Sequence, residues 1–466
     1  MALGRAVCEN LKMNMLTVKY SGTIFKNILQ MKAAVVGKYR WTICALIFFS
    51  TTINYLDRAV ISLLKDNLET TFRWKESDYA NIVISFQAAY AIGMLIIGRL
   101  IDKVGTKAGY AIAVLLWSMA AMGHALVRSI TGFVIARAGL GVSEAGNFPA
   151  AIKTVAEWFP RRERAFATGV FNSGANIGAI IAPLTVPWIA VTWGWQYAFI
   201  ITGVLGLIWV LCWLVFYEIP LKQRKLSKAE LNLILNDTVE FSEGVNERYG
   251  TDPRLTWMRL LGFKQTWAFV LGKFLTDPVW WFYLFWLPAF LTAQYGISGT
   301  QLMIPVALVY TLSTFGGIAG GYLPLYLIKR GQTLFSARKI SMLVYAVCAL
   351  PVVLAQVLGG VNIWATTLII GLAASAHQAW SANIFTTVSD MFPKKAVASV
   401  TGIGGMAGAI GGILMAKGTG TLFDYFKTMG RLEIGYYIMF FICGLAYILA
   451  WFIIYLLVPK MQPINM

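Results

Sequence analysis

At 466 residues with 58% hydrophobic and only 13% charged side chains, the chain falls far below the roughly 25% charge of a soluble domain, which excludes a soluble globular enzyme and a disordered protein alike. Its formal charge of +18 would suit nucleic acid, yet 28 of the 39 Lys and Arg fall in alternate loops. That is the distribution by which basic loops stay on the cytoplasmic side of a membrane, so the expected partner is the lipid bilayer and not nucleic acid.

In chain order, residues 1–40 form a basic segment without the compact apolar core and cleavage site of a secretory signal. Apolar runs long enough to cross about 30 Å of hydrocarbon follow near 41–64, 79–100, 108–127, 130–154, 166–190 and 195–217, a first six-helix bundle over 41–217. Residues 218–266 are polar, with a basic beginning (Lys222, Arg224, Lys225, Lys228) and an acidic continuation through Glu247, and are expected as a solvated linker with short surface helices. Six more runs near 267–293, 302–328, 337–357, 362–386, 397–421 and 434–458 make a second bundle over 267–458, with a short tail, 459–466. The expected fold is an all-α membrane protein of twelve transmembrane helices, both termini cytoplasmic. Five cysteines are scattered singly, and no metal spacing, nucleophile or cofactor loop occurs, so no metal, no cofactor and no enzymatic activity are expected.

The two bundles repeat a signal. Glu157-Trp158-Phe159-Pro160-Arg161-Arg162 with Thr168-Gly169 returns as Asp390-Met391-Phe392-Pro393-Lys394-Lys395 with Thr401-Gly402, 233 residues later in a chain of 466. Two six-helix halves related by a parallel repeat follow from it. Between the second and third runs lies Gly98-Arg99-Leu100-Ile101-Asp102-Lys103-Val104-Gly105-Thr106-Lys107, echoed without the aspartate from Gly321 to Gly331. Its glycines suit a tight turn and close helix approach. Asp102 is placed to accept from a neighbouring helix N-terminus or a basic residue, a contact that would hold one conformation of two rocking halves.

Charges inside apolar runs cost at least ~2.5–3.5 kcal/mol each on insertion scales and therefore mark a protein interior or a cavity with a task. Asp57-Arg58 sits in the first run, and Arg137 and Glu144, seven apart and on one helix face, sit in the fourth. Two such acid–base pairs suggest a path for an anion and a proton. Tyr90 and Gln87 on the second run and Asn172 and Asn176 on one face of the fifth offer hydroxyl and amide groups for sugar hydroxyls, or serve as interhelical bonds. In the seventh run Lys273 meets either the substrate or Asp277, its i,i+4 neighbour. In the tenth, His377, Trp380 and Ser381 share a face with Gln378 and Asn383 beside it; Trp380 is suited to stack on a pyranose, and His377 is either a ligand or helix glue.

The Gly98–Lys107 motif, together with Arg137-x-x-x-Gly141-x-x-x-Ala145, resembles the major facilitator superfamily. Asn54-Tyr55-Leu56-Asp57-Arg58 and the stretch from Arg137 to Pro149 resemble its anion:cation symporter branch, and the likeness extends over nearly all of residues 41–458. The resemblance implies that Arg58, with Tyr55 beside it, receives a substrate carboxylate, that Asp57 and Glu144 bind the coupling proton, and that Arg137 tunes Glu144. Asp102, Gly98 and Gly105 would form the conformational gate. The segments Gly272–Trp281 and His377–Asn383 are similar to those of bacterial hexuronate transporters. The implied function is proton-coupled uptake of a sugar-acid anion, a hexuronate, by a monomer in the bacterial inner membrane, with sodium not excluded as the coupling ion. An aldonate symporter, an anion exchanger or facilitator, and an anion-sensing receptor are the alternatives. Around Gly402–Gly408 the chain departs from relatives that take aldonic acids, which tend to carry an asparagine there.

Overall fold

A computed structural model describes residues 37–74, 76–239, 257–297, 301, 303–360 and 362–464. The first half contains α1 (Tyr39–Leu63), α2 (Glu76–Val104), α3 (Thr106–Gly123), α4 (Ile130–Glu144), α5 (Asn147–Trp158), α6 (Arg161–Trp193) and α7 (Trp195–Phe216). A linker helix, α8 (Lys228–Val239), leads to the second half: α9 (Lys264–Tyr295), α10 (Met303–Lys329), α11 (Leu334–Ala349, extended by turns to Gly359), α12 (Ile363–Met391), α13 (Val397–Thr428) and α14 (Leu432–Leu457). With α4 and α5 counted as one broken span, these are the twelve expected transmembrane helices, all-α, in two six-helix halves.

Among the described residues nine of these segments are individually long and apolar enough to cross a membrane. The other three, α4–α5, α9 and α12, carry Arg137 and Glu144, Lys273 and Asp277, and His377 and Gln378. Large apolar side chains such as Leu184 and Val215 stand 68% and 71% exposed on the outer surface, which hydrocarbon rather than water accommodates.

Local sequence explains where the helices stop. Phe159 and Phe392, each before a proline, adopt extended backbone (ψ 137° and 147°) and end α5 and α12, because the proline ring disfavours helical geometry in the residue before it. Gly105 and Gly331, equivalent in the two copies of the motif, turn the chain at φ 94° and 90°, where a side chain would be strained. The fourth span is not the continuous helix expected over 130–154. It breaks at Ala145-Gly146, and Pro149, lacking an N–H, cannot bond back to the Ala145 carbonyl.

The halves meet where α2 packs on α13 and α6 packs on α10 and α12. Glycines set both crossings. A Cβ at Gly98 would stand 2.6 Å from the Ala398 carbonyl oxygen and one at Gly321 2.5 Å from that of Ala165, while Cβ atoms at Gly402 and Gly169 would collide with the carbonyls of Met94 and Gly317. Gly98 and Gly321 are motif equivalents, as are Gly169 and Gly402, so the repeat in sequence becomes a repeat of inter-half crossings.

At the end that carries the basic loops the halves are tied by polar contacts. Asp102 accepts from the backbone N–H of Ser399 (2.6 Å) and Ala398 (3.3 Å) in the first turn of α13, and from Lys153 Nζ (2.9 Å). Asp390 accepts from Arg338 Nε (3.1 Å) and pairs with Arg164 of the other half, whose guanidinium also donates to the Ser389 carbonyl.

Residues 240–256 lie outside the described residues, including Glu240, Glu243 and Glu247; before them the linker is largely exposed but anchored through Glu230. Ser227 caps α8 by accepting from Glu230 N (3.2 Å), and the fully buried Glu230 carboxylate accepts from Tyr39 N and Arg40 N (3.1 Å each) and Arg40 Nη1 (2.9 Å). The N-terminus of α1 thus finds its missing acceptors in the linker.

Candidate functional site

Between the halves, midway along the helices, lies a cavity whose first-half wall comes from α1, α2, α5 and α6 and whose second-half wall comes from α9, α12 and α13. Eight of the expected residues line it: Tyr55, Arg58, Tyr90 and Asn172 from the first half, Lys273, His377, Gln378 and Ser381 from the second. On the side nearer the basic loops it is floored by a hydrogen bond between halves, Asn172 Nδ2 to Gln378 Oε1 (2.8 Å), and by stacking of Phe148 on Phe385 with centroids 5.4 Å apart.

Arg58 is held by aromatic faces and a carboxylate. Its guanidinium lies over Tyr90 (4.5 Å), Tyr55 (4.9 Å) and Phe86 (5.4 Å), and Nε donates to Glu144 Oε2 at 2.7 Å. Nη2 makes no hydrogen bond, so one of the donors with which a guanidinium grips a carboxylate is unspent. Glu144 was expected to pair with Arg137. Instead Arg137 donates through Nη2 to the Arg58 carbonyl (3.0 Å) and lies over Phe86 (5.0 Å). The reason is spatial: Arg137 and Glu144 are two turns apart on α4, and the Arg58 side chain enters from α1 at the level of Glu144. Asp57 is buried and outside the lining, with no hydrogen bond to either carboxylate oxygen.

In the second half Lys273 Nζ pairs with Asp277 Oδ2 at 2.7 Å and lies 4.0 Å from the Phe385 ring centroid. His377 Nδ1 is 2.7 Å from the Tyr447 hydroxyl, and its ring stacks on Trp280 at 5.2 Å with an interplanar angle of 12°.

Four expected residues do not reach the cavity, Gln87 of α2 among them. Trp380 is fully buried edge-to-face against Tyr447 (5.7 Å), because its α12 position turns toward α14. Asn383 donates to the Gly320 and Ala379 carbonyls (2.9 Å each) and is interhelical glue, and Asn176 is buried away from the lining. The aromatic wall is supplied instead by Trp280 and Trp281, and the unexpected acid in it is Asp277. A signal for them existed: Lys273, Asp277, Trp280 and Trp281 follow i,i+4 and i+3/i+4 spacing and so share one face of α9.

Two six-helix halves closing over a charged cavity at mid-membrane define a multi-pass membrane transporter, not an enzyme. A model of the Major Facilitator Superfamily matches residues 47–416, and the chain belongs to that superfamily. Among its relatives, the hexuronate transporter of Escherichia coli (strain K12) is 32% identical over 386 residues, covering 83% of this chain and 88% of the relative. The galacturonate transporter of Dickeya chrysanthemi is 34% identical over 290 residues, 62% of this chain and 83% of the relative. Among solved structures, the proton:xylose symporter XylE aligns with a TM-score of 0.69 at 16% identity over 91% of this chain and 97% of its own, a likeness of fold. The Escherichia coli fucose:proton symporter FucP aligns at 0.65 and 14% identity over 90% and 99%.

Proposed function

We propose that the protein carries a sugar-acid monoanion, a hexuronate, across the membrane together with a proton, by alternating exposure of the cavity to the two sides. The observation that carries the reading is Arg58, presented to a cavity between the halves while its Nε is bound to the buried Glu144. Relatives named as hexuronate and galacturonate transporters support the substrate class.

The chemistry of coupling follows from charge balance. In and around the cavity three cations, Arg58, Arg137 and Lys273, stand against three acids, Asp57, Glu144 and Asp277. A monoanion that enters makes this set negative by one, and moving a net charge through hydrocarbon is costly. One proton on a carboxylate restores neutrality. A substrate carboxylate that takes Arg58 as its partner competes with Glu144 for the same guanidinium, and the displaced Glu144 becomes the acceptor of the proton. Asp57, buried without a hydrogen bond, is the second proton carrier.

The reading assigns the basic-loop end to the cytoplasm. With that end closed by Asp102, Arg164 and the crossing glycines, the conformation described is shut toward the cytoplasm. The test is uptake of labelled uronic and aldonic acids into proteoliposomes, with and without an inwardly directed proton gradient. Saturable, gradient-driven uptake of glucuronate and galacturonate is expected. Saturable uptake of none of these acids would remove the substrate class, and uptake indifferent to the gradient would remove the coupling.

A further inference from the structure

The two ion pairs of the cavity present opposite partners to it. At the first-half end the Arg58 side chain is 14% exposed and its partner Glu144 0%, so the cation faces the cavity. At the second-half end Asp277 is 19% exposed and its partner Lys273 only 5%, so the anion faces it. The cavity therefore has one end that attracts a carboxylate and one that offers a carboxylate of its own.

Asp277 is held there by the shape of α13. A Cβ at Gly408 would collide with Asp277 Oδ2, and Cβ atoms at Gly411 and Gly412 would stand 2.6 Å from the Phe274 carbonyl oxygen and 2.6 Å from the Trp281 ring. Any larger residue at 408 would need the space the carboxylate occupies. Lys273, against the Phe385 ring, also lines the cavity and neutralises Asp277, but it is the less exposed member of the pair.

From this arrangement we infer that Asp277, seated in the notch left by Gly408, is a specificity-determining residue that admits monocarboxylate sugar acids and rejects dicarboxylates. The inference rests on the sugar-acid reading of the site. With the substrate carboxylate on Arg58, the far end of a uronic acid brings hydroxyls, which donate to Asp277. The far end of an aldaric acid brings a second carboxylate against that of Asp277, the more exposed member of its ion pair, and such like-charge juxtaposition is unfavourable in a partly desolvated site.

The experiment is displacement of labelled D-glucuronate from the purified full-length protein by unlabelled D-glucuronate and by D-glucarate. The wild-type chain should bind glucarate about tenfold or more weakly than glucuronate. In Asp277→Asn the amide accepts and donates without charge, and Lys273 is left unneutralised, so the glucarate disadvantage should shrink by about tenfold or reverse. Gly408→Ala, which displaces the carboxylate while keeping its charge, should narrow the same ratio and serves if the asparagine variant does not fold. Equal wild-type affinity for the two acids overturns the inference while leaving the sugar-acid reading intact, as does an unchanged ratio in the variants. A wild-type chain that binds neither acid removes that reading and the inference with it.

Discussion

Arg58 is the residue on which the proposed site turns, because its guanidinium is fixed by three rings and one carboxylate while Nη2 stays unpartnered. Lysine in its place keeps the charge and loses the planar fork, so Arg58→Lys should lose most uronate binding, read as loss of ligand-induced thermal stabilisation. Unchanged affinity would take Arg58 out of the site. Glu144→Gln and Asp57→Asn remove a titrating proton at constant size. Both variants should still exchange substrate in counterflow yet fail to concentrate it against a gradient; accumulation with wild-type dependence on the proton gradient would show that neither acid carries the proton. The two tryptophans separate a packing role from a binding role. Trp380→Ala opens a hole in a fully buried position and should cost about 3–5 kcal/mol of stability without altering the substrate ranking. Trp281→Ala, in the cavity wall, should weaken binding by about 1–3 kcal/mol in competition assays, with a smaller loss of stability.

Among the elements, α8 gives the clearest consequence of packing. Its Glu230 supplies acceptors to two orphan N–H groups of α1 and a partner to Arg40, which Glu163 also holds at 2.9 Å. Glu230→Ala leaves those N–H groups uncapped, and a lost cap costs about 0.5–2 kcal/mol. The expected outcome is a lower unfolding temperature together with faster proteolysis of the linker. An unaltered cleavage rate would mean that the docking contributes nothing to how the linker is held. The broken fourth span has a different consequence: the interruption after Glu144 places that carboxylate at a helix end, in reach of Arg58 rather than locked to its own helix partner.

For the whole molecule the relevant balance is between two ways of closing the halves. In the conformation described, the basic-loop end is shut by hydrogen bonds to charged groups and by backbone-to-backbone approach at glycines on both crossings. Asp102→Asn weakens the charge-assisted bonds to the first turn of α13, where a carboxylate is also favoured by the helix dipole. The population should shift toward opening at that end. Alkylation of Thr168→Cys, a buried site 3.4 Å from Thr386 of the opposite half, reads the shift. The cysteine should react faster in the Asp102→Asn background, and equal rates would remove Asp102 from the gate.

Membrane class, the twelve spans, the two-fold repeat and the identity of most chemical groups were legible in the sequence, because each is expressed in local order. Hydropathy reports burial in lipid, the Phe-Pro signal ends a helix within one residue of itself, and a charge in an apolar run identifies itself by its cost. Tyr55, Arg58, Tyr90, Asn172, Lys273, His377, Gln378 and Ser381 stand out by charge, by polar groups on one helix face or by the family resemblance, and the structure brings them to one cavity. Pairing was decided only in three dimensions. Helical spacing allowed Glu144 to belong to Arg137, but the side chain that reaches it comes from α1, and Trp380 turned to α14 while Trp280 and Trp281 made the wall. Glu230 of the linker likewise finds the partners of its carboxylate on another helix, α1. The physical reason is common to all three. Composition and periodicity determine which face of a helix is buried, whereas the neighbour that the face meets depends on how helices far apart in sequence cross; where the two halves cross, the absence of a side chain at Gly98, Gly169, Gly321 and Gly402 sets the distance.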